Sequence, residues 1–166
     1  MQEPIRIWWA RPRKLCALER PGGGGRSHRP ERREAEIAWL KANGVRALVS
    51  TMATRHNLSA YEAAGLEAYH VAVPTTAGAE EALDELVVLL RRLLRPRGAV
   101  AVHGNRHTDF VAAVCTAHLY EQRGTPPEEG LAAARDAGLM VTPEACVLLG
   151  VDYSAVQPRA RMAAST

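Results

Sequence analysis

Cysteine is scarce in this 166-residue chain, and its three copies, Cys16, Cys115 and Cys146, form no CxxC pair. Three thiols cannot all be bridged, which points to a reducing compartment and to buried thiols that act as small core hydrophobes. Aromatic residues make up only 5%. Arginine clusters lie between Arg6 and Arg33 and again at Arg91–Arg97, but the aromatics are too few to alternate with them as a base-stacking surface requires. Nucleic acid is therefore not an expected partner. No apolar run reaches the roughly 20 residues that span a membrane; the longest breaks at Arg91 and Arg92. The start, Met1-Gln2-Glu3-Pro4, has neither a basic nor an apolar signal region, so the expected location is the cytoplasm. Gly22–Gly25 lacks the GxxxxGK[ST] pattern of a nucleotide loop and reads as a mobile surface connection. The Gly22–Arg33 arm and the Trp8-Trp9 pair are candidate interaction surfaces, the tryptophans being first of all candidates for core packing.

What is present describes one folded unit. Hydrophobic residues make up 47% and charged residues 23%, the balance of a globular protein with a proper core, and the net charge is only +3. A single domain is expected over residues 1–153, with a frayed polar tail at 154–166. Ile5–Trp9 and Lys14–Leu18 read as a pair of strands, and Glu31–Asn43 as a helix ended by Gly44. Val45–Thr51 has the β-branched content of a buried strand, and Ser59–Ala64 forms a helical turn before the strand Ala68–Val73. Glu80–Leu94 carries a leucine stripe at helical spacing. Ala99–His103 is a continuous apolar strand of the kind found at the centre of a parallel sheet. A loop leads into a helix through Tyr120, closed by Arg123-Gly124. Thr125 is placed to cap a helix over Glu128–Ala137, and Thr142-Pro143-Glu144 opens another. Alternating strands and helices give an α/β fold, with a mostly parallel central sheet flanked by helices. Ligands in such sheets sit outside the carboxyl ends of the strands, which selects Val73–Gly78 and His103–Phe110.

The order of these elements resembles the bacterial dual-specificity phosphatases of the protein tyrosine phosphatase group. The resemblance is carried by the Arg20-Pro21-Gly22 loop after a strand, by Val45–Thr51, by Ala64–Pro74 leading to an acid loop, and by Gly98–His103 leading to the signature loop. That signature is a histidine, a cysteine, five residues, an arginine, then serine or threonine. The resemblance implies a thiolate nucleophile, an arginine fork on the phosphoryl oxygens and an aspartic general acid. Laid on this chain from His103, the cysteine position is Gly104, the arginine position Phe110 and the hydroxyl position Val111. The acid loop, Pro74-Thr75-Thr76-Ala77-Gly78, has no carboxylate before Glu80. The family mechanism is therefore excluded.

Three readings of the loop stay open. Drift is the first: Thr108 or Asp109 caps the next helix and His103 makes a buried hydrogen bond. In the second, the loop still binds a phosphorylated or anionic small molecule or a phosphoprotein, through His103, Gly104, Asn105, Arg106, His107, Thr108, Asp109 and Phe110 with Thr75 and Thr76. Arg106 then supplies charge from inside the loop, against competition from Asp109 for the amides. In the third, a rebuilt site uses His103, His107 and Asp109 in acid–base or metal chemistry. No cofactor is implied. No metal is assigned either, since a His-x3-His pair needs both side chains on one helical face and His103 is in a strand.

Overall fold

The computed structural model describes residues 1–73 and 77–158. Its centre is a five-stranded sheet in the order β1-β2-β5-β3-β4. The hairpin strands β1 (Ile7–Arg11) and β2 (Leu15–Leu18) run antiparallel, and all other pairings are parallel. β5 (Ala99–His103) lies in the middle, between β2 and β3 (Val45–Ser50), with every residue buried. That position explains its unbroken apolar sequence, because both faces are covered. β4 (Glu67–His70) is shorter than its sequence reads. Backbone pairing nevertheless continues past it, with the Val71 and Val73 amides donating to the Ser50 and Thr51 carbonyls.

Alternation along the strands sends two sets of side chains into two cores. Leu15, Ala17, Val49, Val100 and Val102 face the helices α3 (Ala79–Leu93), α4 (Asp109–Arg123), α5 (Pro127–Asp136) and α6 (Pro143–Leu148). Cys16, Leu18, Leu48, Ala99 and Ala101 face α1 (Pro30–Ala42) and α2 (Leu58–Ala63). The α3 stripe of Leu83, Leu86 and Leu90 is buried as its spacing predicts. Trp8 is core, and Trp9 packs half-buried on the α1 side.

Four local expectations are corrected. Thr125 does not cap α5: Pro126 holds the cap position without a side-chain bond, and Pro127 has no N–H to satisfy. Neither Thr108 nor Asp109 caps α4 through its side chain; Thr108 is the N-cap residue, but its hydroxyl accepts from the Met140 amide at 2.8 Å. The packed chain runs past residue 153, since Asp152 accepts from the Ser154 amide in a 3-10 turn that delivers Val156 into the core, while residues 159–166 of the expected tail lie outside the described residues. Gly22–Gly25 is not a loose surface connection, because Gly22, Gly23 and Gly24 are buried and their loop is tied at several points. Gly22 donates to the buried Glu36 carboxylate at 3.1 Å, Gly23 to the Arg20 carbonyl at 2.8 Å, and Gly25 to the Asn105 side chain at 3.0 Å.

Candidate functional site

The sheet delivers the β5–α4 loop, residues 104–108, to the carboxyl end of its central strand. The alternation that points Val102 toward α4 points His103 the other way, under α2. There His103 is fully buried, edge-on to the Tyr61 ring with centroids 5.6 Å apart. Its Nδ1–H donates to the Gly104 carbonyl at 2.8 Å, and its Nε2 accepts from the Tyr61 hydroxyl at 2.9 Å. Tyr61 in turn accepts from Asn57. Burial, with a smaller contribution from Arg20, pushes the His103 pKa down to about 4, so the ring is neutral near pH 7. With both nitrogens engaged beneath the loop, His103 holds the loop in place and does not face the cleft above it.

Gly104 follows, and its surroundings decide what this position can carry. A Cβ built there would lie 2.7 Å from the His107 carbonyl oxygen. The chain has closed over the place from which any side chain at this position would project. The Gly104 amide is directed to the Leu18 carbonyl at 3.4 Å. An acceptor oxygen thus turns toward the start of the loop, where an anion would need donors. None of the three thiols lies in the loop. Cys16, Cys115 and Cys146 are buried in the cores, and desolvation raises the pKa of each.

Above the loop lies a cleft of about 510 Å³, walled by Met52 and Val73 on one side and Phe110, Ala145 and Leu148 on the other. Its polar groups are Thr51, Asn105, His107, Asp109 and Glu144. Asp109, in the first turn of α4, accepts from the Thr142 hydroxyl at 2.9 Å. His107 Nδ1 contacts the Met140 sulfur at 3.4 Å. Of the residues selected from the sequence, Gly104, Asn105, His107, Asp109 and Phe110 therefore meet at this cleft. His103 and Thr108 are buried beside it, while Thr75 and Thr76 lie outside the described residues. Among the described residues no group of three His, Cys, Asp or Glu side chains is placed to hold a metal.

Arg106 is the exception with most consequence. It lines a separate depression of about 300 Å³ on the opposite flank of the loop, together with Arg6, Glu19, Gly23, Gly24 and Arg32. Sequence reasoning placed this arginine inside the loop. The signal that could have located it is Gly24, where a Cβ would lie 2.5 Å from the Arg106 amide nitrogen. Only glycine permits that approach of the two backbones. Glu144 was also missed as part of the cleft, because α6 is far from the loop in sequence.

No protein-family model matches the sequence, and no curated protein does. Solved structures do match. Human DUSP28 superposes with a TM-score of 0.67 at 19% identity, covering 90% of this chain and 95% of that one. Tk-PTP in its active form gives 0.66 at 20%, covering 87% and 94%. PTPMT1 gives 0.63 at 14%, covering 86% and 90%.

Proposed function

From a chain with the dual-specificity and tyrosine phosphatase fold, we propose a pseudophosphatase, a cytoplasmic protein that performs no cysteine-based phosphate hydrolysis and works by binding at the β5–α4 cleft. One observation carries this reading: the nucleophile position is Gly104, with the His107 carbonyl 2.7 Å from where a Cβ would start. Phosphoryl transfer through a thiolate needs that side chain, an arginine fork and a general acid. Phe110 stands at the arginine position, and no buried thiol of the chain reaches the cleft. With Asp109 and Glu144 on its walls and no arginine or lysine lining it among the described residues, the cleft favours a neutral or positively charged group over a phosphate. Its apolar share suits a side chain of a partner protein or a small molecule of mixed character.

A second reading rests on His107 and Asp109 sharing the cleft: these two side chains are an acid–base pair available to a small substrate. One assay separates the two. Incubated with a generic aryl phosphate, the purified protein should release no phenol above the uncatalysed rate. Turnover that disappears in His107→Ala or Asp109→Asn would establish the second reading and end the first.

A further inference from the structure

We propose that the depression between the glycine-rich β2–α1 loop and the outer flank of the β5–α4 loop is a phosphate-binding site formed by Arg6, Arg32 and Arg106. It lies outside the cleft and goes beyond the binding reading given above. Three arginines line a hollow of about 300 Å³ against one carboxylate, Glu19. That carboxylate is already engaged, since it accepts from Arg32 Nη2 at 3.1 Å. Arg32 Nε is bound to the buried Glu36. The Arg32 fork is thereby fixed from two sides. Its third nitrogen, Nη1, has no hydrogen bond among the described residues and abuts Gly23, 3.0 Å from where a Cβ would sit.

Arg6 and Arg106 are exposed and form no ion pair among the described residues. Two guanidinium groups beside one hollow repel each other, and a dianion between them removes that repulsion. The planar forks also match phosphate oxygens in pairs. Arg106 is set on this flank by its backbone, wedged against Gly24 and tied through its neighbour Asn105, whose carbonyl accepts from the Arg20 amide at 3.1 Å. With the Arg32 fork and the Arg106 backbone held before the ligand arrives, less entropy is lost on binding. The hollow admits a single phosphate group, either free or as the monoester of a small molecule.

Calorimetric titration of the full chain at constant ionic strength, with inorganic phosphate and with phosphoserine as the two probes, tests this. Saturable binding is expected for at least one probe. Both Arg106→Gln and Arg6→Gln should weaken it about tenfold, the scale of one charge-assisted hydrogen bond. Arg123→Gln, at the far end of α4, should leave it unchanged. Binding of phosphoserine alone would assign a monoester, and binding of both would assign the phosphate group itself. An absence of binding heat at millimolar probe would overturn the site. So would binding that survives the paired replacement of Arg6 and Arg106, or binding that falls equally in Arg123→Gln. Both replaced arginines are exposed, so an unchanged unfolding midpoint confirms that each variant is folded. None of these results depends on whether an aryl phosphate is turned over.

Discussion

The β5–α4 loop has two flanks, and they differ in charge. Toward α6 it borders a large cleft that is apolar at the walls and carboxylate-bearing at Asp109 and Glu144. Toward the β2–α1 loop it borders a smaller hollow lined by three arginines. A strand-to-helix junction at the carboxyl end of a parallel sheet favours anions through its backbone and helix dipole. Here the side chains oppose that field on one flank and reinforce it on the other. A fold therefore fixes where a pocket forms, while the sign of its charge is settled by which way a few side chains leave the backbone.

That comparison holds only while the loop stays seated, so the largest effect expected is on its support. His103 is neutral in the fold, with a pKa lowered to about 4 from its ordinary 6.5. His118, buried and accepting from Arg11, is lowered likewise to about 4. Between those values the unfolded chain binds protons that the folded one does not, so stability is full above pH 6.5 and falls as pH drops toward 4. The loss should be on the order of 3 kcal/mol per histidine. Urea midpoints across that range should show it, and the slope should shrink in His103→Gln. A flat profile would remove the neutral His103 support.

Next in size is the closure over position 104. Gly104→Cys should cost about 1–3 kcal/mol through its contact with the His107 carbonyl and restore no aryl phosphatase activity. A stable, active Gly104→Cys would mean that the cleft is an intact active site missing one side chain. Gly24→Ala should cost a similar amount while also weakening phosphate binding, because it pushes Arg106 away from the hollow. Asp109→Asn should destabilise by about 1 kcal/mol as its bond from Thr142 weakens. Glu144→Gln, exposed on the other wall, should change stability by less than about 0.5 kcal/mol. If either cleft variant tightened phosphate binding more than tenfold, the two flanks would be one electrostatic site.

Much of the fold was legible because it is written in short-range patterns. β5 was read to the residue, as a continuous apolar run between Gly98 and Gly104. The helices α1, α3 and α5 fell within a residue of their observed bounds through proline starts and leucine spacing. The glycine that follows the β5 histidine was legible too, because it is a matter of residue identity after a recognisable strand. The direction of Arg106 was not. It depends on Gly24 and Gly25 meeting residues some 80 positions later, and no local pattern encodes such a contact. The role of Thr108 was hidden for the same reason, since its partner Met140 lies 32 residues away. Aligned from its sequence alone, the loop predicted a single polar rim; folded, it separates into two.

The burial of Cys16, Cys115 and Cys146 has a consequence for durability. A phosphatase that depends on an exposed thiolate carries with it a target for peroxide and alkylating agents, because the reactive form of sulfur is also the oxidisable one. This chain keeps its three thiols protonated inside two hydrocarbon cores. Its cysteines should withstand oxidants that silence a thiolate enzyme, and a thiol-directed label added to the native protein should react only as fast as the cores open.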